Sequence, residues 1–359
     1  MIRPILFTAF LLIPLLFGGL PGKAEAAGFA DANRAIVDRH ILPGYDKLAA
    51  ANRQLDQAAG RFCATPDAAG LDSLRAGFHR AMDAWQSIRH IRFGPVELFL
   101  RHHRFQIWPD RRNSVGKQLA GLIAEADPKV DDPALFAQAS VAVQGLSALE
   151  RLLFGASVSL DQFREIYRCR LLRAITRGLD GMSAELLTEW SRGDATYRHT
   201  LTRPGPDNPV FDSHEAVSGR LLNELYTALT EMEELKLGKP MGENRERARS
   251  RKAESWRSGR SLRNLRLDLA ALRDLYQAGF EGLIGDPALR EKVNGAFDRA
   301  ETRLAGLPGD ALGPLLESAG GWKQLRQAQQ ALDELRQMVS AELSPALGLP
   351  LGFNSLDGD

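Results

Sequence analysis

Two polar side chains on an otherwise apolar helix carry the chemistry this chain can offer. The stretch Val141 to Gly155 reads V-A-V-Q-G-L-S-A-L-E-R-L-L-F-G, and Val141, Val143, Leu146, Leu149, Leu152 and Leu153 recur at helical spacing. Ser147 and Glu150 stand three residues apart, one turn from each other on one face, and Gln144 lies a further turn back on the same side. A carboxylate on a buried helix is costly unless it is paired, hydrogen-bonded or metal-bound. Glu150 is therefore either a ligand-binding group or the partner of an arginine that holds a neighbouring helix in register.

The elements that must present these groups are helical throughout. The text predicts helices over residues 31–63, with a break at Pro43-Gly44, and over 71–88, where Leu71, Leu74, Phe78, Met82, Trp85 and Ile88 form a near-heptad stripe. Further helices are expected over 114–126, 132–154, 161–190, 214–236, 261–284, 286–304 and 319–343, and Ser213 is a good cap for the helix that starts at His214. No β-branched alternating run is present, so the fold class is all-α, built from long antiparallel helices. Two irregular stretches interrupt the pattern. The first, 96–113, crowds aromatic, basic and acidic residues around Trp108-Pro109-Asp110, so it either plugs the space between helices or lines a cleft. The second, 236–260, is rich in Gly and Arg and ends in Glu254-Ser255-Trp256-Arg257-Ser258.

Composition excludes some partners. Lys plus Arg total 46 against 45 Asp plus Glu, a net charge of +1 in 359 residues, so nothing points to nucleic acid or a membrane surface. Arg3, the apolar run from Ile5 to Leu20 and Ala24-Glu25-Ala26-Ala27 read as an export signal over residues 1–26, with no cysteine at the cleavage point to carry a lipid. The expected mature protein is periplasmic, without a stable membrane span. Cys63 and Cys169 are an even pair in an oxidising compartment, which invites a disulfide; two buried free thiols are the alternative.

Several stretches, in this order and spacing, match one pattern: the export signal, Trp85 followed by His90-Ile91-Arg92-Phe93-Gly94-Pro95, Trp108-Pro109-Asp110, Gln144-Gly145-x-x-x-x-Glu150, Glu254-Ser255 and Gly352-Phe353-Asn354. Together they resemble the imelysin-like family of exported bacterial proteins, also described as insulin-cleaving metalloproteinase-like or iron-regulated. The resemblance implies two bundle-like helical halves with a cleft between them, here residues 27–200 and 210–359, an association with iron uptake, and a G-x-H-x-x-E motif taken as a possible metal site.

In this chain the motif is Gly145-Leu146-Ser147-Ala148-Leu149-Glu150: the glutamate is kept and the histidine position is Ser147. A neutral hydroxyl is a poor transition-metal ligand beside imidazole, a catalytic zinc normally needs three protein ligands, and no H-E-x-x-H pair stands in. Ser147 has no sequence-evident base and sits in mid-helix, so no catalytic residue is assigned. The expected site is a binding cleft made by Gln144, Gly145, Ser147 and Glu150, faced by Trp108, Asp110 and Arg111 from the first irregular stretch and by Glu254, Ser255 and Arg260 from the second. Arginines beside carboxylates would orient a small anionic ligand or an iron chelate, or else neutralise buried acids. Glu150 is the candidate ligand if iron or another divalent ion binds, and Asn354 to Asp359 offer further oxygen donors, docked by Phe353. The expected role is binding or accessory, in iron acquisition, with a small ligand or an iron-uptake component as partner. Two alternatives are a metallopeptidase of the imelysin type and a cell-envelope protein binding a peptide or protein.

Overall fold

The computed structural model describes residues 22–352 apart from 156, 194 and 195, and among the described residues it contains helices and no strand. Residues 1–21 of the expected export signal over 1–26, and the tail from Phe353 to Asp359, lie outside the described residues. The longer helices are α1 (Gly22–Ile36), α2 (Leu42–Ala64), α3 (Ala68–Gln86), α4 (Ser114–Glu125), α5 (Gly145–Phe154), α6 (Ile166–Ser191), α7 (His214–Thr230), α8 (Ser261–Leu275), α9 (Pro287–Ala305) and α10 (Ala319–Met338). Among the described residues no helix is long and apolar enough to cross a membrane.

Side-chain caps set several starts by taking up amide hydrogens that a helix N-terminus leaves unpaired. Asp67 accepts from Gly70 N at 2.6 Å, Ser213 from Ala216 N at 3.1 Å, Asp286 from Ala288 N at 2.9 Å and Ser318 from Gly321 N at 3.0 Å. Pro287 follows Asp286 at a position where a missing N–H costs nothing.

Helices α2, α3 and α6 pack together, and the disulfide Cys63–Cys169, with Cα atoms 5.5 Å apart, ties α2 to α6. A second group is formed by α7, α8, α9 and α10, and α3 touches both α8 of this group and α5. One continuous apolar core runs through both, including Phe78, Trp85, Trp190, Leu225, Leu269 and Phe297. Helix α1 packs on the second group although it starts the described chain. Asn33 fixes it there, donating to His214 O at 2.8 Å and accepting from Ser218 Oγ at 2.7 Å.

Two features depart from the expected elements, and both shape the site. A single helix over 132–154 is expected, but the chain makes short turns at Pro133–Ala137 and Val141–Val143 before α5 begins at Gly145. Gln144 is extended and Gly145 has φ +74°, where an added Cβ would collide with the carbonyl oxygens of Arg104 and Phe105. Only glycine takes that backbone at that distance, so α5 starts at the first residue of the motif. The helix after Ser213 also continues past Thr230 as a π-helical segment, Glu231–Gly238, which carries Glu231 and Lys236 into the core.

Candidate functional site

Helix α5 and the two irregular stretches enclose a cleft of about 730 Å³. Ser147 and Glu150 form its helical wall; Trp108, Pro109, Asp110 and Arg111 face them from one side, and Ser255, Trp256 and Arg257 from the other. The first irregular stretch divides between the cleft wall and the core. Its middle lines the cleft, while Phe105 packs against Trp85 with ring centroids 4.7 Å apart.

Glu150 is 7% exposed and has no arginine partner within ion-pair distance among the described residues. Its Oε1 accepts two hydrogen bonds from one residue, Ser258, from the backbone N at 2.9 Å and from Oγ at 2.8 Å. Burial pushes the Glu150 carboxyl above its ordinary range, against those two bonds and the nearby Arg257 charge. Ser147 Oγ donates to Ile107 O at 2.9 Å and so ties α5 to the aromatic stretch. Asp110 accepts from Ser114 N at 2.7 Å and Val115 N at 3.1 Å, capping α4 with both oxygens, and its Oδ2 lies 3.7 Å from Arg151.

These contacts bear on a metal. Ser147 and Asp110 direct their oxygens at the chain itself, one Glu150 oxygen is engaged by Ser258, and among the described residues no group of three His, Cys, Asp or Glu side chains converges. The residues present do not fit a three-ligand transition-metal site at Glu150.

The remaining expected site residues are placed beside or beneath the cleft. Gln144 caps the turn before α5, accepting from Arg104 Nε at 2.8 Å and donating to Ala139 O at 2.7 Å, and Gly145 serves the close backbone approach described above. Glu254 is 1% exposed and pairs with Lys236 Nζ at 2.7 Å; Asn264, Gln106 and Gln86 also donate to it. Lys236 is shared with Asp268 at 2.6 Å and donates to Gln86 Oε1 at 2.9 Å. Against desolvation by burial, Lys236 and Arg89 hold Glu254 below the usual carboxylate range, whereas burial and the Glu254 charge raise Asp268. Arg260, also 1% exposed, pairs with Asp83 and donates to Asn264 Oδ1 at 2.7 Å. Glu254 and Arg260 therefore anchor the turn that presents Ser255 to Ser258, and Ser255 within it has φ +49°, a left-handed backbone that costs a non-glycine residue about 1 kcal/mol.

The match to known proteins is extensive. The family model for imelysin fits residues 41–339. The chain belongs to the imelysin family. Among its imelysin relatives, iron-regulated protein A of Synechococcus elongatus is 25% identical over 274 residues, 76% of this chain and 71% of that one. The crystal structure of an imelysin-like protein from Psychrobacter arcticum superposes with a TM-score of 0.76 at 18% identity, covering 91% of this chain and 98% of that one, which shows a shared fold. Ser147 stands where the resemblance implies a histidine, and its hydroxyl donates to Ile107 O.

Sequence reasoning left out Ser258, Arg257, Trp256 and Arg151. The first three stand in the quoted run that starts at Glu254, and Arg151 follows Glu150 directly; what was missing is the turn at Ser255 that folds Ser258 back onto the motif glutamate.

Proposed function

We propose that this imelysin is an exported, periplasmic protein with a binding or accessory role in iron acquisition, and that its ligand enters the cleft at Glu150. The observation that carries the reading is that the chain's own hydrogen bonds hold the motif's polar groups as a wall, Ser147 to Ile107 O and Ser258 twice to one oxygen of Glu150, which leaves the other carboxylate oxygen for a ligand. A peptidase needs an activated nucleophile or a metal with an open position, and the residues here supply a preformed wall instead. The export signal over 1–26 and the Cys63–Cys169 disulfide support an oxidising compartment. The iron role follows from the family resemblance and is supported by the likeness to iron-regulated protein A of Synechococcus elongatus, and the two halves, 27–200 and 210–359, are part of the same proposal.

The test is a pair of assays on the mature chain. Incubation with insulin B chain and added zinc or iron should give no cleavage, and a deletion strain should grow poorly when iron is scarce and recover with the wild-type gene but not with Glu150→Ala. Peptide cleavage that disappears in Glu150→Ala would establish the metallopeptidase reading in its place.

A cell-envelope interaction role is the second reading, favoured by one observation. Leu98, Phe99 and Leu100 are exposed in a row, and Phe99 and Leu100 both hold left-handed backbone at φ +55° and +56°. Bulky residues held in that region cost about 1 to 2 kcal/mol each, and the strain presents apolar groups to solvent. Polar replacement of all three side chains with loss of a co-purifying envelope protein would support it.

A further inference from the structure

The cleft concentrates positive charge, most of it with no carboxylate within ion-pair distance among the described residues. Arg111, Arg151, Lys239, Arg251, Lys252 and Arg257 line it against two carboxylates, Asp110 and Glu150, in a protein of net charge +1. Elsewhere its buried arginines are paired with carboxylates: Arg89 with Glu231, Arg101 with Glu185 and Glu189, and Arg260 with Asp83. In the cleft, Arg151 at 3.7 Å from Asp110 is the one cation with a carboxylate within ion-pair distance, among the described residues. Arg257 is half-buried and lies flat on the Trp256 ring, 4.2 Å from its centroid, with Arg251 5.6 Å from the same centroid.

We propose that this cleft binds a small, multiply charged oxyanion, a polycarboxylate or a phosphorylated compound, gripped between Arg151 and Arg257 and framed by Trp108 and Trp256. The proposal rests on the reading of the cleft as a binding site and adds the class of ligand. Guanidinium forks match carboxylate and phosphate oxygens in pairs, and a partly desolvated cation without a counter-ion gains most when one arrives. The ring beneath Arg257 holds that fork in one orientation, so little side-chain freedom is lost on binding. A cleft walled by low-dielectric protein also focuses the field of its rim cations Arg111, Lys239, Arg251 and Lys252, which are exposed and able to draw an anion inward. The volume suits a small molecule rather than a polymer. Burial and the neighbouring Arg151 depress the Arg257 guanidinium below its ordinary value, consistent with a cation short of partners.

The test is calorimetric titration of the mature protein with citrate, pyrophosphate, glucose and a neutral tripeptide amide, repeated with Arg151→Ala, Arg257→Ala and, as a charge control away from the cleft, Arg164→Ala. One-to-one binding of citrate or pyrophosphate is expected, weakened at least tenfold by either cleft variant and unchanged by Arg164→Ala; the preferred probe tells carboxylate from phosphate. If Arg257→Ala fails to fold, Arg257→Lys keeps the charge and loses the fork, and the same weakening is expected. Glucose or the tripeptide binding in a manner lost in Glu150→Ala, with neither anion binding, would overturn the oxyanion and leave the cleft a binding site. Failure of all four probes to bind would overturn both.

Discussion

Ser258 donates its backbone N–H and its hydroxyl to one oxygen, Oε1 of Glu150, at 2.9 and 2.8 Å, and the hydroxyl also lies 3.2 Å from Ser255 O. The two residues are 108 apart in sequence, so this pair of bonds is where the second irregular stretch closes onto the motif helix. It also supplies the reason a buried glutamate survives there without a cation.

The first prediction concerns that pair. Glu150→Gln keeps an oxygen for Ser258 and removes a charge that burial disfavours, so its urea midpoint should equal or exceed that of the wild type. Glu150→Ala leaves the Ser258 donors without their acceptor and should cost about 1 to 2 kcal/mol. A Gln variant less stable than the Ala variant would show that the charge itself is stabilising.

The Lys236 cluster should respond in a fixed order. Lys236→Met leaves Glu254 and Asp268 buried with no shared cation, a loss of about 3 to 5 kcal/mol. Glu254→Gln should cost less, and Asp268→Asn least, because burial and Glu254 already favour the protonated form of Asp268. Denaturant unfolding of the three variants checks the ranking.

Reducing the disulfide should destabilise without dissolving the fold. Cys63 and Cys169 are 106 residues apart, and a loop of about that length corresponds to roughly 4.7 kcal/mol in the chain-entropy model, an upper figure for the measured 2 to 5. Cys63→Ala with Cys169→Ala should lower the melting temperature while leaving the helical circular dichroism intact.

Acid should act through two histidines, His90, which is buried, and His102, which is partly so. Burial first, then His40 and the arginines 89 and 92, lower His90 well below its ordinary value, and burial with the same two arginines does so for His102. The unfolded chain therefore binds protons near pH 6.5 that the folded chain refuses, and stability falls as pH drops below that point, by up to about 1.4 kcal/mol per pH unit for each histidine. The geometry agrees for His90: its Nε2 is 2.8 Å from His40 Nε2, His40 Nδ1 is 2.6 Å from Asp274, and His90 Nδ1 is buried without a partner. His90→Gln should flatten the slope of urea midpoint against pH between about 7 and 5.

Much of this architecture is legible in the residues. Apolar spacing marks α3 from Leu71 to Trp85, Ser213 marks the start of α7, and an even pair of cysteines behind an expected export signal points to their pairing. Glu150 with Trp108, Asp110 and Arg111 could be gathered because their types are unusual for a helix wall and a loop. Gln144 was misplaced on the helix face because propensity runs smoothly through 132–154, and the break depends on how closely Arg104 O approaches Gly145. Glu254 and Arg260 look like cleft residues in sequence, since a charge beside an aromatic reads alike whether it faces a ligand or Lys236 and Asp83 in the interior. Ser258 could not be picked out from sequence spacing, because its partner lies on a distant helix.

Restoring the family motif is the converse experiment. In Ser147→His the imidazole would stand beside Glu150 with no third ligand converging among the described residues, so stoichiometric zinc binding is not expected. Calorimetry on that variant checks it, and tight binding would place an unrecognised ligand at the site.

The most direct test of the central claim, that Glu150 is the hydrogen-bonded wall of a binding cleft and not a metal ligand, is metal analysis with calorimetric titration of iron, copper and zinc into wild type and Glu150→Ala. The account predicts no stoichiometric metal that depends on Glu150. One equivalent bound by the wild type and lost in Glu150→Ala would contradict it.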